Sequence, residues 1–169
     1  MATLETYLIR HGIAADSSSD GSDHARPLTS EGIASLRAEA AGLERLKVKI
    51  DVIWTSPLLR ARQTAEVLAA ALGTKSPVII SAALSTTGSP DAVTAEMRKR
   101  ATAGHIALVG HEPGMGELAA SWLGTRHPVP FKKGAICRID FQAPFAAGGG
   151  ELRWFLTPKV LSLAGRAGG

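Results

Sequence analysis

Two histidines and two arginines occupy related positions, at the ends of segments with strand character or at the start of a helix. Arg10 and His11 directly follow an apolar run of high strand propensity, and His111 directly follows a second such run. Arg60 lies near the start of a predicted helix, where the helix dipole disfavours a cation unless it meets an anion. Gly12 permits a sharp turn and the close approach of a ligand. Because ligands of open α/β sheets bind at the carboxyl ends of the strands, we expect these side chains to meet there.

The four side chains would together form a cationic pocket without a carboxylate or a thiolate. Guanidinium groups suit phosphoryl oxygens, and a histidine can act as a nucleophile and proton carrier near neutral pH. A zinc site would need a third ligand and no adjacent cations. A Ser-His-Asp triad would need a nucleophile elbow, and the sequence contains no such motif. The set therefore favours chemistry on a phosphoryl group.

Strand and helix patterns alternate along the chain that carries these residues. Strands are predicted at residues 6–10, 51–55, 78–80, 106–109, 135–141 and 151–157. Helices are predicted to start at Thr29 or Ser30, at Ser56 as a cap, at Ser89, and at Met115. We expect an α/β fold, a three-layer α/β/α sandwich whose mainly parallel central sheet has an antiparallel edge strand. Residues 1–160 would form one domain, and residues 161–169 a flexible tail.

Composition and charge narrow the class of partner. Of the 169 residues, 45% are hydrophobic and 20% are charged, which is typical of a globular domain. The net charge of +4 comes without a lysine- or arginine-rich block, so we expect an anionic substrate and no nucleic acid. Cys137 is the only cysteine and lies among apolar residues, which indicates a core position and a reducing compartment. With no signal-peptide pattern and no apolar run of roughly 20 residues, we expect a cytoplasmic protein without membrane contact.

Four short motifs occur in an order and spacing that resemble those of a known family. They are Arg10-His11-Gly12, Arg26-Pro27-Leu28-Thr29, the run Ser-Pro-Leu-Leu-Arg-Ala-Arg-Gln-Thr at 56–64, and Gly110-His111-Glu112-Pro113. With this set the chain resembles the histidine phosphatase superfamily, the phosphoglycerate-mutase-like enzymes, and within it the SixA-type phosphohistidine phosphatases. The resemblance runs from Tyr7 to about Pro158. It implies a phosphoglycerate-mutase-like fold.

The resemblance also implies a role for each residue of the pocket. His11 would attack phosphorus in line and become transiently phosphorylated. Arg10 and Arg60 would hold the non-bridging oxygens, with Gly12 part of the phosphate-binding surface, and His111 would donate a further hydrogen bond. Water would then release phosphate from His11. No metal and no organic cofactor would be needed.

The sequence departs from the larger members of this family in one respect. Those members carry a glutamate or aspartate general acid in an insertion after the third strand, whereas residues 84–90 contain no acid. Asp91 and Glu112 are the nearest candidates, but the start of a helix already explains Asp91, and Glu112 could equally support the site from outside it. A missing acid handicaps an alkoxide leaving group more than the weak P–N bond of phosphohistidine. We therefore expect a phosphorylated protein as substrate, with two alternatives: a small phosphate ester of a nucleotide or sugar, or a module that binds phospho-ligands without turnover.

Overall fold

A six-stranded sheet lies between two layers of helices in the computed structural model, which describes residues 2–101 and 104–167. The strands are β1 (Thr3–Arg10), β2 (Val52–Thr55), β3 (Ile79–Ile80), β4 (Gly104–Gly110), β5 (Ile136–Gln142) and β6 (Glu151–Leu156). Their order in the sheet is β3-β2-β4-β1-β5-β6. The first four strands pair in parallel, whereas β5 runs antiparallel to both β1 and the edge strand β6. The predicted fold class is confirmed.

Five α-helices cover the two faces of the sheet within the residues described. They are α1 (Ser30–Arg45), α2 (Leu59–Leu72), α3 (Pro90–Arg100), α4 (Gly114–Leu123) and α5 (Pro158–Arg166). Tyr7 and Leu8 are successive residues of β1 and enter different cores, because side chains of a strand alternate between the two faces. Tyr7 belongs to the core with α1, α2 and α5, and Leu8 to the core with α3 and α4. The site described below lies at the carboxyl end of this two-sided sheet.

Of the four predicted helix starts, two are correct, one is wrong, and the start at Met115 is one residue late, since α4 begins at Gly114. Thr29 Oγ1 accepts a hydrogen bond from the N–H of Gly32, and Ser89 Oγ accepts one from the N–H of Ala92, so both residues cap their helices. The prediction of Ser56 as the cap of α2 is wrong, because that helix begins at Leu59 without a side-chain cap. The hydroxyl of Ser56 instead contacts a residue far away in the sequence.

The carboxyl-terminal residues contradict the prediction of a flexible tail from residue 161. Residues 161–166 belong to α5, and Leu161 is fully buried against α1. Pro158 stands at the amino end of α5, where its fixed backbone angle favours a helix. The two helices approach closely because Gly42 has no side chain, and a Cβ there would overlap the carbonyl oxygen of Leu161. Residues 168 and 169 of the predicted tail lie outside the described residues.

Cys137 occupies the core position that its apolar neighbours predict. It is fully buried in β5, and burial raises the pKa of its thiol to about 12, which keeps the sulfur protonated. Within residues 2–101 and 104–167, none of the helices has the length and apolar character needed to cross a bilayer.

Candidate active site

The register of the two central strands brings the two predicted histidines together. Arg10 and Gly110 are opposite each other in the parallel pair of β1 and β4, so His11 and His111 follow at neighbouring positions on one edge. The backbone N–H of His11 donates to the carbonyl oxygen of Gly110 at 3.0 Å, which continues the pairing past the strand ends. The two imidazole centroids lie 5.1 Å apart, and both side chains are buried.

Two guanidinium groups reach the same place from different elements. Arg60 extends from the first turn of α2, and its Nε lies 3.4 Å from Nε2 of His11. Arg10 extends from the end of β1, and its Nη1 donates to the carbonyl oxygen of Phe131 at 2.8 Å. The charge of Arg10 acts on both imidazoles. The structure thus brings together all four side chains that the sequence singles out, although Arg10 and His111 are 101 positions apart along the chain.

His11 is held as a neutral imidazole whose lone pair is on Nε2. Its Nδ1–H donates to the carbonyl oxygen of Gly12 at 2.7 Å, and Nε2 accepts from the Nε–H of Arg60. Burial, and then the positive charges of Arg60 and Arg10, lower the pKa of His11 to about 4, although the hydrogen bond to Gly12 opposes this. At neutral pH the ring can therefore attack through Nε2.

His111 is neutral for the same physical reasons. Burial, followed by the neighbouring His11 and Arg60, lowers the pKa of His111 to about 3. Its Nε2 lies 2.8 Å from Oγ of Ser56, and its Nδ1 is buried without a partner. A neutral imidazole carries one N–H, so one ring nitrogen of His111 is a donor and the other an acceptor.

Unpartnered polar atoms are concentrated at this site. Among the described residues, three buried side-chain nitrogen or oxygen atoms have no hydrogen-bond partner, and two of them are Nε of Arg10 and Nδ1 of His111. A buried polar group without a partner costs about 1–3 kcal/mol, so two of them in one place call for a ligand that pairs them. Beside a guanidinium and a neutral nucleophile, that ligand is an anion with several acceptor oxygens.

Gly12 has a different part from the phosphate contact that the family resemblance implies. Its N–H donates to Oγ1 of Thr64 at 3.0 Å, and its carbonyl oxygen accepts the Nδ1–H of His11. Both backbone groups are therefore occupied inside the protein. Thr64 in turn donates to the carbonyl oxygen of Arg60 at 2.7 Å, so Gly12 links α2 to the ring of His11. We assign Gly12 to orienting His11 and not to binding phosphate.

Neither candidate for a general acid is placed to donate a proton. Both carboxylate oxygens of Glu112 accept backbone hydrogen bonds, from the N–H of Gly116 at 2.7 Å and from the N–H of Phe131 at 3.2 Å. Glu112 therefore fastens the start of α4 to the segment that holds Arg10. Asp91 is exposed in the first turn of α3, where a carboxylate complements the helix dipole.

The structure adds Asp23, a residue that the sequence analysis does not single out. Its carboxylate lies 3.2 Å from Nη2 of Arg60 and 2.8 Å from Nη1 of Arg26, and its carbonyl oxygen accepts from Nη1 of Arg60 at 2.8 Å. The hydrogen bond from Arg26, with the charge of Arg60, holds the pKa of Asp23 below its ordinary value. An ionised carboxylate thus occupies the outer face of Arg60. In the sequence, the acidic residue type is the only sign of this contact with Arg60, since Asp23 lies in a polar loop with several similar residues.

A pocket opens beside His111, between the loop after β3 and the start of α4. Its volume, including the solvent at its mouth, is about 460 Å³. The wall combines apolar side chains such as Leu84 and Val93 with the hydroxyl groups of Ser85 and Ser89. A group attached to a phosphoryl bound at His11 would have room on this side.

Known proteins match this chain along most of its length. An uncharacterized protein from Picosynechococcus sp. is 41% identical over 137 residues, which cover 79% of this chain and 82% of the relative. The phosphohistidine phosphatase SixA of Escherichia coli is 29% identical over 163 residues, which cover 95% of this chain and 98% of SixA. The solved structure of the protein histidine phosphatase SixA complexed with tungstate matches with a TM-score of 0.85 at 29% identity, and the match covers 94% of this chain and 99% of SixA.

The family profile agrees with these relatives. The profile of the histidine phosphatase superfamily (branch 1) matches residues 6–87, which include three of the four motifs. The fourth motif, at His111, is the one that the sheet register places against His11. The site is that of a phosphatase, and the chain belongs to the histidine phosphatase superfamily.

Proposed function

We propose that this phosphatase removes the phosphoryl group from phosphohistidine side chains of other proteins, through a phosphorylated intermediate on His11. The observation that carries the proposal is the state of His11: a neutral ring, its Nδ1–H fixed by Gly12, and its Nε2 lone pair beside the guanidinium of Arg60 in a site with unpartnered nitrogens. Such a site can take up a phosphoryl group without a metal ion.

The proposed reaction has two displacements at phosphorus. In the first, Nε2 of His11 forms a P–N bond while the P–N bond of the substrate breaks, and the departing imidazole takes a proton from solvent. Arg10 and Arg60 bind the non-bridging oxygens, and His111 donates one more hydrogen bond. In the second, water adds to phosphorus, the bond to His11 breaks, and inorganic phosphate leaves as the water gives a proton to solvent. The Nδ1–H of His11 stays on Gly12 in both steps.

The carboxylates near the site support phosphohistidine over a phosphate ester. An ester needs a proton donor for its alkoxide, but Asp23 is held ionised and both oxygens of Glu112 accept backbone hydrogen bonds. The imidazole of phosphohistidine is a better leaving group, since solvent can protonate it. The name of the Escherichia coli relative, a phosphohistidine phosphatase, agrees with this choice.

The surroundings of the site support a protein as the bearer of the phosphoryl group. Only residues 85–89 connect a short 3-10 turn to α3, so none of the residues that the structure describes forms a lid over this side of the pocket. Lys133 is exposed and close enough to His11 for its charge to lower the pKa of the ring. An acidic or phosphorylated protein surface could approach there, with a phosphohistidine side chain reaching inward.

The experiment compares substrates under one set of conditions. We expect a phosphohistidine carrier protein to be dephosphorylated with a kcat/KM at least 100-fold above that of any nucleotide or sugar phosphate in a panel. His11→Ala should abolish the activity, while His105→Ala, a control at the opposite end of β4, should retain it. A metabolite that is the better substrate would favour the small-ester alternative. Phosphate binding without turnover of any substrate would favour a binding module.

A further inference from the structure

Ser56 lies under the active site with its hydroxyl in contact with His111. It is fully buried just after β2, at the turn into α2. Its Oγ accepts a hydrogen bond from the N–H of Leu58 at 3.2 Å and lies 2.8 Å from Nε2 of His111. The motif Ser56-Pro57 resembles a helix cap, but the residue does not cap α2.

Counting donors and acceptors assigns the hydrogen between Ser56 and His111. A hydroxyl has one hydrogen to donate, and within the described residues the only acceptor in reach of the Ser56 hydroxyl is Nε2 of His111. If Nε2 carried the proton, the Ser56 oxygen would accept two hydrogen bonds and its own hydrogen would be buried without an acceptor. Because His111 is neutral, the single ring proton must then be on Nδ1.

We infer that Ser56 is a positioning residue that holds His111 in the Nδ1–H tautomer, so that a hydrogen-bond donor and not a lone pair meets the bound phosphoryl oxygens. The inference rests on the proposed function only in that a phosphoryl group is what occupies the site. Within the described residues Nδ1 of His111 has no partner, whereas Nε2 is bonded to Ser56, so Nδ1 is the ring nitrogen left to pair with a phosphoryl oxygen. In the other tautomer, the Nδ1 lone pair would face an oxyanion and repel it.

The tautomer can be observed directly in the unmodified protein. We expect long-range 1H–15N correlation spectra of the histidine rings at pH 7 to show His111 protonated on Nδ1 and unprotonated on Nε2. His11→Gln and His111→Gln variants identify the two sets of signals. A wild-type protein with the proton of His111 on Nε2 would overturn the inference, whatever its activity.

Variants test whether the hydroxyl is the cause. Ser56→Ala should move a large part of the His111 population to the Nε2–H form and weaken tungstate binding, measured by calorimetry, roughly 10-fold. We expect less than the factor of about 10²–10³ in rate that follows the loss of a whole oxyanion donor, because part of the population keeps the donor. In assays of turnover with a phosphohistidine protein, the kcat of Ser56→Ala should fall by a similar factor, and this fall should be larger than any change in KM. Ser56→Thr, which keeps the hydroxyl, should retain the wild-type tautomer.

Ser81→Ala is the matched control, because Ser81 is also a buried serine just after a parallel strand, with its hydroxyl bonded to Glu96. It should leave the His111 spectrum and tungstate affinity unchanged. If Ser56→Ala lowers affinity or kcat while His111 keeps its proton on Nδ1, the role of Ser56 is merely structural and the inference is wrong. Because the spectra and the tungstate affinity need no substrate, they decide the matter even if phosphohistidine is not turned over.

Discussion

Replacing Asp23 by asparagine should tighten the binding of phosphate. In the free protein the carboxylate of Asp23 lies 3.2 Å from Nη2 of Arg60, on a guanidinium that a phosphoryl group also needs. An incoming anion must therefore displace this carboxylate or lie beside it, and either costs free energy. The main-chain carbonyl of Asp23 also holds Arg60, at 2.8 Å, and asparagine keeps that bond, so the arginine should stay in position.

The magnitude follows from the exposure of the two partners. Unit charges at this distance interact by about 5 kcal/mol at an effective dielectric constant near 20, but exposed ion pairs contribute only about 0–1 kcal/mol. The side chain of Asp23 is 56% exposed and that of Arg60 is 6% exposed, so solvent screens most of the attraction. We expect a gain of about 1 kcal/mol, which is about a 5-fold lower Kd.

Calorimetric titration with phosphate or tungstate would measure this gain at low salt. Asp16→Asn is the control, because Asp16 is exposed in the same loop and has no ion pair among the described residues. The advantage of Asp23→Asn should shrink as ionic strength rises, since salt screens the half-exposed carboxylate. Binding that is unchanged or weaker in Asp23→Asn would show that Asp23 assists the anion and does not compete with it.

Three further predictions concern pH and stability. Burial raises the pKa of Glu39 to about 8 in the folded state, against 4.5 in the unfolded state. The protonated carboxyl group therefore contributes its full stability below pH 4.5, and this contribution is lost as the pH rises through 8. Glu39→Gln should lack this loss, which amounts to a few kcal/mol of the free energy of unfolding at pH 9, measured with urea. An equally steep decline of that free energy with alkaline pH in the variant and the wild type would contradict the prediction. Gly42→Ala should lower the free energy of unfolding by at least 2 kcal/mol, because its Cβ would overlap the carbonyl oxygen of Leu161, whereas Gly114→Ala, with open space around it, should be nearly neutral. Because the pKa of His11 is about 4, the phosphoenzyme should form at pH 5.5 almost as fast as at pH 7 in rapid-quench assays, and a 10-fold drop would indicate an ordinary histidine.

The convergence of the four charged or titratable side chains could be predicted because it depends on topology. A residue that follows a parallel strand lies at the same edge as its counterpart on the next strand, so local strand patterns suffice to place His11 beside His111. Arg60 could be predicted from its unfavourable position at a helix start, for which a nearby anion offers a reason.

The contacts that sequence reasoning missed are those between side chains far apart in the chain. Ser56 has the local chemistry of a helix cap, and only the fold shows that its partner is His111, 55 residues away. Asp23 resembles its polar neighbours until α2 presents Arg60 to it. The Gly- and Ala-rich composition of residues 164–169 predicts a tail, yet α5 extends to Arg166, because the stability of this helix comes from docking on Gly42 rather than from helix propensity.

The phosphorylated intermediate is the direct test of the central claim, that Nε2 of His11 is the nucleophile. A carrier protein labelled with 32P on histidine would be mixed with the enzyme, quenched in alkali within milliseconds, and the enzyme digested for mass spectrometry. We predict acid-labile label on the peptide that contains His11, and none in His11→Ala. Label on a different residue, or turnover in His11→Ala at the wild-type rate, would contradict the account.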